Sequence, residues 1–115
     1  MTIEDVFPKE TIKPWGKEVL YVKTKDYVVK ELYITKGHRL SLQYHDIKEE
    51  SWYFVKGNVK VTHGNTSFVS LLHQFVHVPP KTIHRLEALE DSIILEVSTP
   101  HLEDICRIED DYNRI

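Results

Sequence analysis

Leu40-Ser41-Leu42-Gln43-Tyr44-His45, followed four residues later by Glu50-Ser51-Trp52-Tyr53-Phe54, is the stretch on which the reading of this chain turns. A β-strand places residues i and i+2 on one face. The first run therefore sorts Leu40, Leu42 and Tyr44 from Ser41, Gln43 and His45. The second puts Glu50, Trp52 and Phe54 together. If Trp52 and Phe54 face a core, Glu50 goes in with them, and a buried carboxylate is costly unless it is paired or bound to a metal. Far downstream, His84 starts another strand with Leu86 on its face. Gln43, His45, Glu50 and His84 then offer two imidazoles, a carboxylate and an amide oxygen. That is a mixed nitrogen and oxygen set for one divalent ion, Zn²⁺ first and Mn²⁺, Co²⁺, Ni²⁺ or Fe²⁺ after it. On alternation alone the commoner outcome is an ordinary strand histidine at 45 and a solvated Glu50 at a hairpin mouth.

Outward from this stretch the pattern is the same. Runs rich in Val, Ile, Tyr, Phe, Trp and Thr predict strands over 15–23, 27–34, 40–45, 50–55, 59–63, 67–72, 75–78, 83–87 and 92–98. They are punctuated by Lys36-Gly37, Lys56-Gly57-Asn58, Gly64-Asn65 and Pro79-Pro80. No long stretch carries a helical period. Short strands at this spacing predict an all-β antiparallel sandwich or barrel, and closure would remove the exposed sheet edges. Such a barrel leaves one ligand-sized interior, so its chemistry should come from inward-pointing side chains. Residues 1–12 read as a polar N-terminal arm and 13–115 as one domain, whose charged tail holds a helical turn or an edge strand.

Composition narrows the function. The chain has 115 residues, with Lys+Arg 15 against Asp+Glu 18 and a formal charge of −3. There is no basic excess to drive nucleic-acid or membrane-surface binding. No apolar run is long enough to span a bilayer, and the acidic start does not read as a signal peptide. Cys106 is alone, which excludes an intrachain disulfide and points to a reducing, cytoplasmic setting. It reads as a small packed side chain. The seven His are the unusual number, and His38, His63, His73, His77 and His101 read as surface or turn residues. Trp15 and Trp52 read as core or mouth packing.

The spacing Gly37, Gln43, His45, Glu50, Gly57 resembles the first cupin motif, with Gln in the place of the first His ligand. Pro79-Pro80-Lys81 leading to His84 resembles a weaker second motif, with Lys81 where Gly is usual and Ala88 where Asn is common. The wording between the ligands is more specific. Lys13-Pro14-Trp15-Gly16, Leu40 to His45, Glu50-Ser51-Trp52, His84-Arg85-Leu86-Glu87, Glu103 to Arg107 and Tyr112-Asn113-Arg114 occur in register. Together they resemble the isomerase domain of type II phosphomannose isomerases, the cupin half of bifunctional mannose-6-phosphate isomerase/mannose-1-phosphate guanylyltransferases. The resemblance implies a cupin-type antiparallel β-barrel, a double-stranded β-helix of jelly-roll form. It implies a metal-dependent aldose-ketose isomerase acting on a small sugar phosphate, mannose 6-phosphate to fructose 6-phosphate. No nucleotidyl transfer is expected, because this length leaves no room for the second domain.

Carried over residue by residue, the resemblance puts Gln43, His45, Glu50 and His84 on the metal positions. Lys48 falls where the type II pattern has a catalytic Arg, so Lys48 and Glu50 are the expected catalytic residues. Ser41, Lys48, Arg85 and Arg114 are the expected sugar-phosphate contacts, although strict alternation turns Arg85 away from His84. Asp46-Ile47 replaces a His-His pair, Ser51 replaces a His, and Lys for Arg at 48 is not conservative at a bidentate contact. Those departures keep open a non-catalytic sugar-phosphate-binding cupin. A nucleotide-sugar epimerase or ketoisomerase is the runner-up enzyme, although the intact four-ligand set argues against it. A cupin dioxygenase fits less well, since a Gln ligand and sugar-isomerase wording argue against it. By analogy with cupins of this size, a homodimer through an edge strand is expected, with the arm free to swap.

Overall fold

A computed structural model describes residues 7–115, so residues 1–6 of the expected arm lie outside the described residues. The elements are β1 (Lys9–Lys13), β2 (Gly16–Lys23), β3 (Val28–Ile34), β4 (Leu42–Tyr44), β5 (Glu50–Lys56), β6 (Val59–His63), β7 (Thr66–Val69), β8 (Phe75–Val78), β9 (His84–Ala88), β10 (Ser92–Ser98) and β11 (Cys106–Glu109). They form two antiparallel sheets, one ordered β1-β2-β3-β10-β5-β8 and the other β11-β4-β9-β6-β7. The inner faces close on one another, as the alternation predicts for an all-β barrel.

The core is the inward row of each strand. Leu32, Ile34, Trp52, Phe54 and Ile94 come from the first sheet, and Val59, Val61, Leu86 and Ala88 from the second. Register aligns these rows: Ile94 lies opposite both Leu32 and Phe54, and Val61 opposite Leu86. Two glycines make close turns possible. Gly16 (φ +150°) lets β1 fold back on β2, where a Cβ would lie 1.9 Å from the Tyr33 carbonyl oxygen. Gly57 (φ +92°) turns β5 into β6, where a Cβ would meet Asp91 O at 2.6 Å.

Three expectations are corrected. Residues 9–12, assigned to the arm, pair with β2 as part of an edge strand. The expected strand over 40–45 shrinks to Leu42–Tyr44, because Arg39 and Leu40 already bond along β9, through a bridge to Glu87 and an N–H to Leu86 O. Cys106 is exposed rather than packed, because it lies on the edge strand β11. The charged tail takes the edge-strand option, with β11 pairing β4. Among the described residues no helix is long and apolar enough to cross a membrane.

Candidate metal centre

Three strands deliver the donors. β9 begins at His84, β5 begins at Glu50, and His45 follows directly on β4. All three side chains are buried, at 4 % (His45), 2 % (Glu50) and 2 % (His84) exposure. One donor atom from each lies within 4.8 Å of the others. Glu50 Oε1 is 3.1 Å from His84 Nε2 and 3.8 Å from His45 Nε2. The Trp52 ring meets His84 edge-on at 5.4 Å, packing the centre against the core.

The backbone fixes which nitrogen faces inward. His84 Nδ1 donates to Thr82 O at 2.8 Å, and His45 Nδ1 donates to Asp104 O. A carbonyl can only accept, so in each neutral ring the proton sits on Nδ1 and the bare Nε2 turns to the centre. Burial lowers the His45 pKa against the pull of Glu50, which favours the neutral, ligating form. Glu50 Oε1 faces both imidazoles and Glu50 Oε2 faces Lys48 Nζ, while His45 Nε2 is buried without a hydrogen-bond partner. Buried polar atoms are rarely left so. An orphaned imidazole nitrogen converging with a buried carboxylate oxygen and a second imidazole fits a divalent cation, and with His₂Glu chemistry the three could hold one.

Gln43 completes the set less directly. Its Nε2 is 3.3 Å from His84 Nε2, while its Oε1 accepts from Ser41 Oγ at 2.8 Å. A half-turn of the amide would present the oxygen instead. Asp104 shapes the loop between His45 and Glu50. Its carboxylate accepts from the N–H groups of Asp46 (3.1 Å), Ile47 (2.7 Å) and Lys48 (2.9 Å). These bonds hold its pKa at about 2.

Beside the donors lies a cavity of about 210 Å³, lined by Ser41, Gln43, His45, Lys48, Arg107 and Arg114 among others. A ladder of alternating charge runs along it. Lys13 Nζ lies 3.9 Å from Glu18, and Glu18 binds Lys30. Lys30 Nζ lies 3.6 Å from Glu96, Lys48 Nζ 3.4 Å from Glu96, and Lys48 Nζ 3.2 Å from Glu50. Burial alone would lower the Lys48 pKa, but the Glu96 and Glu50 carboxylates outweigh it and hold the ammonium charged. Burial pushes the Glu50 carboxyl up; His84, Lys48 and His45 overcome that and keep it well below the usual carboxylate range. Burial and Glu50 raise the Glu96 carboxyl against the opposing pull of Lys48 and Lys30.

The structure thus brings Ser41, Gln43, His45, Lys48, Glu50 and His84 together, with Arg114 on the cavity wall. Arg114 is already held by both Asp110 carboxylate oxygens at 2.8 Å. Arg85 stands apart. Its Nε donates to Leu40 O at 2.9 Å, its Nη1 is 3.4 Å from Glu109, and it lines no part of the cavity. Its place on the sheet's other face follows from one residue of alternation past His84. Sequence reading missed Glu18, Lys30, Glu96, Asp104 and Arg107. Lys30 shares a face with Val28, Leu32 and Ile34, and Glu96 with Ile94, so the rule that found Glu50 applies to them too. Nothing local marks Asp104, whose partners lie 56–58 residues away.

Comparison with known proteins agrees with this architecture. The mannose-6-phosphate isomerase C-terminal family matches residues 4–110. The alginate biosynthesis protein AlgA of Pseudomonas aeruginosa is 34 % identical over 111 residues, covering 91 % of this chain and 23 % of AlgA. The mannose-1-phosphate guanylyltransferase RfbM of Salmonella typhimurium is 30 % identical over 79 residues, covering 69 % of this chain and 16 % of RfbM. The chain thus spans about a quarter or less of the length of these relatives. An RmlC-like cupin from Shewanella frigidimarina superposes with TM-score 0.76 at 19 % identity, covering 82 % of this chain and 84 % of that one, a likeness of fold. With its two antiparallel sheets and cupin fold, the chain belongs to the mannose-6-phosphate isomerase C-terminal family.

Proposed function

We propose that this domain is a metal-dependent aldose-ketose isomerase acting on a sugar phosphate, mannose 6-phosphate to fructose 6-phosphate. The observation that carries the reading is the convergence of two inward-facing imidazole nitrogens, that of His45 without a hydrogen-bond partner, with a buried carboxylate oxygen of Glu50 beside a cavity lined with cations. Family membership supports it.

The reaction moves one proton from C2 to C1 and one from O2 to O1, through an enediol. His45, Glu50, His84 and a turned Gln43 would hold the cation. Once bound, that ion supplies Lewis-acid polarisation of the carbonyl and hydroxyl oxygens. Lys48 does not serve as a base in this reading, because two carboxylates keep its ammonium charged. It is a fixed positive charge facing the oxygen on which negative charge develops. Glu96, in contact with Lys48 and outside the donor set, is the carboxylate assigned to lifting the C2 proton and returning it at C1. Burial of the site keeps these charges strong.

The test is a coupled assay of fructose 6-phosphate formation from mannose 6-phosphate, with Zn²⁺, Mn²⁺ or Co²⁺ added after stripping. Turnover that needs the ion is expected. Absence of turnover by metal-loaded protein contradicts the reading, and binding without turnover would assign the domain to sugar-phosphate binding instead.

A further inference from the structure

Five cationic side chains line the cavity: Lys13, Lys30, Lys48, Arg107 and Arg114. Four already face carboxylates of this chain. Lys13 and Lys30 face Glu18, Lys30 and Lys48 face Glu96, and Arg114 is clamped by Asp110. Arg107 alone has no ion pair among the described residues, and its Nε is buried with no hydrogen-bond partner. A guanidinium whose N–H is removed from water and given nothing in return is an unusual arrangement for a folded chain. It makes sense when an external acceptor completes it.

The register says where that acceptor would sit. Arg107 on β11 lies opposite Gln43 on β4, and Gln43 lies opposite His84 on β9. Directly opposed residues share a face, with Cβ atoms about 5 Å apart. Arg107, Gln43 and His84 are thus one row on the inner face, and the row spans two strand spacings, about 10 Å. One end of it is a metal donor and the other an unneutralised cation. A ligand with its reacting oxygens several bonds from an anionic group fits that separation. The planar guanidinium fork matches phosphate oxygens in pairs.

We propose that Arg107 is the residue that binds the substrate's phosphate, and that Arg85, Arg114 and Lys48, each already paired within the chain, are not its principal contacts. The proposal deepens the isomerase reading and rests on it for the sugar half of the ligand. Its substrate class is a phosphate monoester whose phosphate is remote from the carbonyl.

The test is calorimetric titration of the metal-stripped full chain with mannose 6-phosphate and with inorganic phosphate, for wild type, Arg107→Gln and Arg107→Lys. Circular dichroism checks that each variant is folded. Wild type should bind both compounds, Arg107→Gln should bind each at least tenfold more weakly, and Arg107→Lys should fall between. In the metal-loaded assay Arg107→Gln should raise KM with kcat largely kept, as loss of uniform binding requires. Equal affinity in wild type and Arg107→Gln overturns the proposal, as does a wild type that binds neither compound. Should Arg107→Gln unfold, equal affinity in a folded Arg107→Lys overturns it. Phosphate binding through Arg107 without turnover would sink the isomerase reading and leave this site standing. Turnover with affinity indifferent to residue 107 would do the reverse.

Discussion

Along β3, β5, β9 and β10 the inward-facing row changes character partway. One end of the rows carries Lys30, Glu50, His84 and Glu96; the other carries Leu32 and Ile34, Trp52 and Phe54, Leu86 and Ala88, and Ile94. The same strands therefore build a dry end and a charged end. At the dry end, apolar burial contributes stability in proportion to area. At the charged end every buried group costs desolvation, which its neighbours must offset. The contrast teaches a division of labour: the apolar end carries the fold, and that rigidity lets the other end hold an orphaned imidazole nitrogen and a guanidinium with no ion pair.

The comparison breaks first at the dry end. Phe54, 1 % exposed, is packed on all sides. Phe54→Ala should cost about 3–5 kcal/mol, read as a lower midpoint in urea unfolding. A loss under about 1 kcal/mol would mean that the apolar end does not carry the fold.

The charged end should respond in a different manner. Glu96→Leu leaves Lys30 and Lys48 facing one another without their shared carboxylate, and should cost about 3 kcal/mol. The double variant Lys30→Met/Glu96→Leu removes a charge of each sign and should recover most of that loss by the same unfolding measurement. Additive losses would show that the ladder is not a coupled unit.

A smaller effect is set by pH. Asp104 falls from an ordinary 3.8 to about 2 in the folded chain through the N–H groups of Lys48, Ile47 and Asp46. A carboxyl depressed by folding contributes stability above its unfolded pKa and loses it as pH falls through the folded one. The thermal midpoint should therefore drop between about pH 4 and pH 2, and Asp104→Asn should flatten that drop. Asp110, also held at about 2 by Arg114, adds a slope of the same sign that persists in the variant. The smallest change expected is from Gln43→Ala. It should cost about 1 kcal/mol while weakening metal binding, measured by calorimetry, because Gln43 makes few contacts and its amide joins the donor set only after turning.

How much of this could be read from residues alone follows from the range of each interaction. Glu50, Trp52 and Phe54 announce their common face because strand alternation is local, and the strands at 59–63, 75–78 and 92–98 fall where it puts them. The same alternation held the information for Lys30 and Glu96, but their meaning lies in pairing across β3, β10 and β5, which no single strand displays. Arg85 shows alternation at work: it sits one residue from a donor and faces away from the cavity. Asp104 and Arg107 come from the tail, and their roles exist only because β11 lies against β4. That pairing joins residues about 60 positions apart and leaves no local trace.

The central claim is that the charged end is a metal centre. Its most direct test is calorimetric titration of the metal-stripped chain with Zn²⁺, beside the same titration of His45→Ala, with bound metal counted by elemental analysis. The account predicts one ion per chain in wild type and none retained in the variant. A wild type that takes up no ion, or a His45→Ala chain that binds as much as wild type, would contradict it.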